Sequence, residues 1–121
     1  YGFIPQTLGQ DGDPLDILVI CSQSIHPLCL VEANVIGNMQ MIDQGERDDK
    51  IIAVASKDPT VKHIKDIDEL PEHFFHELKH YFEEYKKLEN KVVEIDNFQN
   101  KAEAYKIIEE AIDYYKEKFK D

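Results

Sequence analysis

The chain has 121 residues, with 14 Lys plus Arg against 25 Asp plus Glu, a formal net charge of −11. That length fits one modest domain, and the acidic balance argues against nucleic-acid and anionic-membrane binders, which need a basic face. The 42% hydrophobic content is enough for a packed core, and no run approaches the roughly 20 apolar residues of a membrane span. The chain opens on Tyr1, inside an apolar segment with neither an initiator Met nor a signal peptide. This reads as a chain whose N-terminus has been removed. Cys21 and Cys29 are too few for a zinc knuckle or a disulfide framework, so reduced, half-buried thiols in a cytoplasmic protein are expected.

In chain order, the first 66 residues carry short β-branched runs between turn formers. Ile17, Leu18, Val19 and Ile20 predict one strand, and residues 51–55 another. Residues 30–36 nearly alternate, with Leu30, Glu32 and Asn34 between Val31, Ala33 and Val35, which predicts a strand with one wet face. The links carry Asp11-Gly12, Pro27 and Gly45, residues suited to turns. After residue 66 helices dominate. Pro71 suits a first helical turn, and Phe74, Leu78, Tyr81, Phe82, Tyr85 and Leu88 follow at three- and four-residue steps. Residues 92–95 predict a short strand. Asn100 is a predicted N-cap with Glu103 three residues on, opening a helix whose apolar stripe is Tyr105, Ile108, Ile112, Tyr115 and Phe119. Strands followed by helices predict an α+β domain, a small twisted sheet or barrel that buries the aromatic stripes of two helices.

Asp11-Gly12-Asp13-Pro14-Leu15-Asp16 places three carboxylates within six residues, directly ahead of an apolar strand. A solvated Asp-Gly turn explains part of this. Crowded like charges cost energy unless a cation or solvent offsets them, and a divalent ion with hard oxygen ligands is the natural partner. An EF-hand is excluded: counted from Asp11, the fifth, sixth and twelfth positions are Leu15, Asp16 and Ser22, where the loop needs an oxygen ligand, Gly and Glu. A second acidic cluster runs from Asp43 through Gly45 and Asp48 to Lys50 and reads as a hairpin loop. It is either a solvent-facing charged turn or a mixed-charge site for metal-bound phosphate, with Lys50 as a mobile point charge. Tyr85-Lys86 ends the first helix, although Tyr85 also belongs to its apolar stripe.

Taken together, these residues resemble the soluble family I inorganic pyrophosphatases, most closely the bacterial type. The resemblance rests on Tyr1-Gly2-Phe3-Ile4, the D-G-D-P-x-D element with Ile17-Leu18-Val19, and Met41-Ile42-Asp43 through Asp48 and Lys50. It continues in residues 63–71 and in Tyr81-Phe82-Glu83-Glu84-Tyr85-Lys86, in order along essentially the whole chain. It implies an OB-like, five-stranded β-barrel packed with two α-helices, and Mg²⁺-dependent hydrolysis of pyrophosphate to two phosphates. By the same resemblance Asp11, Asp16 and Asp48 would hold Mg²⁺, and Asp43 would join Asp48 on a metal arriving with substrate. Asp13 would be the general base. Tyr1 would line the pocket, and Lys50, Tyr85 and Lys86 would bind phosphate oxygens. A homo-oligomer, a hexamer, is implied, and the cytoplasm is the expected location. Residues 1–121 would be one domain lacking the family's N-terminal portion, which supplies an acidic metal ligand, Lys and Arg groups on the phosphates, and strands that help close the barrel.

The chemistry suits these residue types. Pyrophosphate hydrolysis needs charge neutralisation, positioning and an activated water more than a nucleophilic Ser or Cys. The competing class is an acidic, cation-binding globular fragment without turnover. His76-Glu77-Leu78-Lys79-His80 matches the zinc-protease pattern H-E-x-x-H. At about 100° per residue the two His fall opposite the apolar stripe, in solvent or at a subunit contact, and not over a buried cleft. The motif is therefore read as accidental, and His26, His63 and His73 as ordinary surface or loop residues.

Overall fold

A single mixed sheet, sandwiched between two helices, organises the chain in a computed structural model. It describes residues 1–9, 12–23, 25, 29–43, 45–89 and 93–119, with only the backbone of residues 43, 46, 86 and 93–96. The strands are β1 (Gly2–Phe3), β2 (Asp16–Ile20), β3 (Ala33–Asp43), β4 (Glu46–Arg47), β5 (Lys50–Ala55) and β6 (Val93–Asn100); the helices are α1 (Glu72–Leu88) and α2 (Lys101–Lys118). The sheet runs β1-β2-β5-β3, with β4 and β6 also paired to β3. β2 and β5 are parallel, and the other pairs antiparallel. Gly37, Asn38 and Met39 pair with both β5 and β6, so those two strands flank β3 on opposite edges.

Side chains alternate across a strand, and here both faces are covered. One face meets α1 through Ile36, Met39, Met41, Ile52, Val54, Leu78 and Phe82. The other meets α2 through Ile51, Ala104, Ile107 and Ala111. On β5 the even positions thus face α1 and the odd position Ile51 faces α2. Strands covered on both sides read as continuous apolar runs, as the Ile51, Ile52, Ala53, Val54 sequence does.

The α+β architecture agrees with the sequence reading, but several details differ. The strand predicted from residue 30 starts at Ala33 and runs to Asp43; Leu30 is 94% exposed and precedes it. The predicted wet face is present at its start, where Asn34 is exposed between Ala33 and Val35, and it ends at Ile36, beyond which Asn38, Met39 and Met41 are buried. The strand predicted at 92–95 continues to Asn100. Burial on α2 follows Ala104, Ile107 and Ala111, displaced from the predicted stripe of Tyr105, Ile108, Ile112, Tyr115 and Phe119. Small alanines let the helix sit close to the sheet, and the aromatic residues flank that contact, Tyr105 and Phe119 exposed. On α1, Tyr81, Tyr85 and Leu88 are likewise exposed, while Leu78 and Phe82 of the predicted stripe are buried.

Local signals held where they were local. Asn100 accepts a hydrogen bond from the Glu103 N–H, capping α2. The Phe74 N–H donates to the Pro71 carbonyl just ahead of α1. Asp66 and Glu69 form a reciprocal capping box on the 3₁₀ turn Ile67–Glu69. Cys21 is half-buried, Cys29 is exposed, and both are free thiols.

Candidate functional site

The site is built where β2 and β5 begin side by side. Asp16 and Lys50 are register partners on these parallel strands, so their side chains share a face, the one turned toward α1. Lys50 Nζ donates to Asp16 Oδ2 at 2.5 Å and to both carboxylate oxygens of Asp48 at 3.0 Å. Asp48, two residues before Lys50 and just outside the strand, meets the ammonium from the chain leading into β5. The Tyr1 ring lies with its centroid 5.6 Å from Lys50 Nζ, at cation–π range, and 6.3 Å from the Phe82 ring of α1.

The Lys50 side chain is only 5% exposed. Burial by itself would lower its pKa, yet hydrogen bonds with Asp16 and Tyr1 and the charge of Asp48 outweigh burial and hold it above the ordinary lysine value. The ammonium thus stays charged as the shared partner of two carboxylates.

The other expected residues are placed as follows. Asp13 is exposed on the loop before β2, its carbonyl accepting the Gly9 N–H at 2.8 Å. Tyr85 stacks on Tyr81 with ring centroids 6.2 Å apart, and Tyr81 contacts Phe82, so an aromatic chain leads from Tyr85 back to Tyr1. Asp11 and the side chains of Asp43 and Lys86 lie outside the described residues. Among the described residues, no three His, Cys, Asp or Glu side chains gather as a metal-binding group. The described donors still fit a hard divalent cation: Asp16 and Asp48 aim carboxylate oxygens at one positive charge, and such oxygens are the ligands Mg²⁺ takes. His76 and Glu77 of the H-E-x-x-H pattern are solvent-exposed and paired along the helix with Glu72 and His73.

Sequence reasoning passed over the layer behind this site. Asp49 is buried on the α2 side, accepting Arg47 Nε at 2.7 Å and Asn38 Nδ2 at 3.2 Å. Asn38 also donates to Gln99 Oε1 of β6 at 2.9 Å. One signal was available: Asn38 interrupts the Ile36 to Met41 segment with an amide. A cleft of about 480 Å³ opens on the same side, lined by Arg47, Asp49, Ile107, Glu110 and Tyr114 among others. Asp16 and Asp48 also line it, whereas Lys50 and Tyr1 do not, so two of the carboxylates that meet the ammonium border this cleft as well.

The parallel pairing of β2 with β5 thus brings two carboxylates and a buried ammonium together. The family described as inorganic pyrophosphatase matches residues 1–116. The chain belongs to the inorganic pyrophosphatase family. It is 49% identical over 119 residues to soluble inorganic pyrophosphatase 2 of Chlamydomonas reinhardtii, covering 98% of this chain and 62% of that protein. It is 50% identical over 115 residues to soluble inorganic pyrophosphatase 4 of Arabidopsis thaliana, covering 95% and 53%. Among solved structures, the Helicobacter pylori inorganic pyrophosphatase superposes with a TM-score of 0.89 at 43% identity, covering 94% of this chain and 69% of that one. The Thermus thermophilus enzyme gives 0.90 at 38%, covering 94% and 67%. The chain therefore spans little more than half the length of these curated relatives.

Proposed function

We propose that this chain carries the metal- and phosphate-binding face of an enzyme that hydrolyses inorganic pyrophosphate to two phosphates with Mg²⁺. The observation that carries the reading is the convergence of Asp16 and Asp48 on Lys50 Nζ beside Tyr1. Asp11, Asp16 and Asp48 are the proposed Mg²⁺ ligands, joined by Asp43 when substrate binds. Bound Mg²⁺ would neutralise phosphate charge and acidify a water near neutral pH. Asp13 is the proposed general base, accepting a proton from the attacking water. Lys50, whose ammonium is held charged, would pair with a phosphate oxygen, and Lys86 and the hydroxyls of Tyr1 and Tyr85 would add donors. A direct in-line attack needs no covalent intermediate, consistent with a site made of Asp, Lys and Tyr.

A cytoplasmic homo-oligomer, a hexamer, belongs to the same proposal. The exposed Leu88 of α1 and the aromatic flank of α2 supply apolar surface for subunit contact. Among the described residues no helix is long and apolar enough to cross a membrane.

The test is phosphate release from pyrophosphate with Mg²⁺, by this chain and by the chain extended to its relatives' length. Activity in the extended protein supports the reading, and activity in both makes the carboxylate core sufficient. Two folded but silent proteins overturn it and leave a cation-binding domain.

A further inference from the structure

We propose that Asp49, clamped by Arg47 and Asn38, is a positioning residue that aims Asp48 and Lys50 into the site. This rests on the reading of those two residues given above. Asp48 bonds the Lys50 ammonium on the α1 side, whereas Asp49 bonds Asn38, the register partner of Ile51, and so faces α2. It does so beside Ile51, the odd-numbered neighbour that packs on Ala104, Ile107 and Ala111.

The segment needs such an anchor. β4 ends at Arg47 and β5 begins at Lys50, so residues 48 and 49 belong to neither strand. The Asp48 N–H donates to the Met41 carbonyl at 2.9 Å. The Asp49 side chain supplies two further ties, 2.7 Å to Arg47 Nε and 3.2 Å to Asn38 Nδ2. Asn38 lies on the central strand β3 opposite Ile51 of β5 and Gln99 of β6, so it fastens the segment to the middle of the sheet. Pinning Asp49 on one face fixes the rotation of the backbone, and so the direction of its two neighbours on the other.

Local stability does not account for this arrangement. Asn38 is fully buried, and its Oδ1 has no hydrogen-bond partner. Flipping the amide would turn that oxygen toward the Asp49 carboxylate, so the orphan is the consequence of donating to Asp49. An apolar residue at position 38 and another at 49 would avoid both a buried charge and an unpaired acceptor. Groups that orient metal ligands from behind typically change metal affinity 10- to 100-fold when removed.

The experiment compares Asp49→Ala, Asp49→Asn and Arg47→Met with the unaltered whole protein. Mg²⁺ binding is titrated calorimetrically without substrate, kcat and KM for pyrophosphate are measured, and circular dichroism fixes a temperature at which every variant is native. Asp49→Ala is expected to weaken Mg²⁺ binding about tenfold and to raise KM. Asp49→Asn, which keeps an acceptor for Arg47, recovers most of that loss. If Asp49→Ala does not fold, Arg47→Met carries the test, with a smaller shift in the same direction expected. Folded variants whose Mg²⁺ affinity and KM stay at the unaltered values overturn the proposal. If the unaltered protein does not hydrolyse pyrophosphate, the functional reading fails separately, and the Mg²⁺ titration still decides the role of Asp49.

Discussion

Asp16 and Lys50 stand 34 residues apart in the chain, yet they are register partners on adjacent parallel strands, with Lys50 Nζ 2.5 Å from Asp16 Oδ2. Asp48 closes on the same ammonium from the other side at 3.0 Å. Lys50 is therefore the counter-charge that lets two carboxylates share one small space. Breaking a buried pair by deleting one partner leaves uncompensated charge. Lys50→Met is expected to destabilise the protein by about 3 kcal/mol in chelator, with part of the loss recovered in Mg²⁺. Urea unfolding with and without the ion measures both. Equal loss in the two solutions would mean that the ion does not replace the ammonium.

Under the proposed mechanism Asp13 serves catalysis and not metal binding. It sits outside the Asp16–Lys50–Asp48 cluster, on the loop whose turn is made at Gly12 with φ +84°. Asp13→Asn keeps the shape and removes the proposed base. Turnover should fall by about 100-fold or more, while calorimetric Mg²⁺ affinity stays close to that of the unaltered protein. A parallel loss of both would move Asp13 into the ligand set.

Asp58 provides an acid-sensitive staple far from the site. One carboxylate oxygen accepts the Ser22 N–H and hydroxyl at 2.6 and 2.8 Å, and the other accepts the Thr60 N–H and hydroxyl at 3.0 and 2.7 Å. These bonds, the Ser22 backbone donor first, hold its pKa well below the usual carboxylate range. A depressed folded-state pKa contributes stability above the unfolded value, near 3.9, and that contribution is lost as pH falls through the folded value. Asp58→Asn should therefore melt lower than the unaltered protein at pH 7, with the gap closing as the pH is taken below about 4. A gap that is independent of pH would assign the effect to geometry alone.

Gly37 is required by packing. A Cβ there would lie 2.7 Å from the Gln99 carbonyl oxygen and 2.7 Å from Ile67 Cβ, and β3 is bulged between Val35 and Gly37. One of the clashing atoms is backbone of β6, which cannot rotate away. Gly37→Ala is expected to cost about 1–3 kcal/mol, read from chemical denaturation. Unchanged stability would mean that β6 is free to shift.

Much of this was legible from the chain because it is local. The Asn100 cap sees only three residues ahead, and the apolar run of residues 51–55 marks a strand by its own composition. The α2 contact face was misread because size outweighed hydrophobicity: Ala104 and Ala111 allow close approach, whereas Tyr105 and Phe119 are too bulky to fit under the helix. Asp49 looked like one more solvent-facing charge in an acidic loop. Its burial depends on Asn38, eleven residues earlier and on another strand.

By itself, then, the amino-acid sequence determined the order of strands and helices, the clustering of carboxylates ahead of a strand, and membership of a pyrophosphatase family. Those follow from periodicity, short-range hydrogen bonding and motif spacing, all of which act within a few residues. Only the tertiary structure decided that Asp16 and Asp48 converge on Lys50, that Tyr1 covers it, and that Asp49 turns inward to be held by Asn38. These relations are set by the parallel pairing of β2 with β5 and by the position of β3 between β5 and β6. Such pairings depend on which apolar faces two helices bury together, and that is a property of the whole sheet.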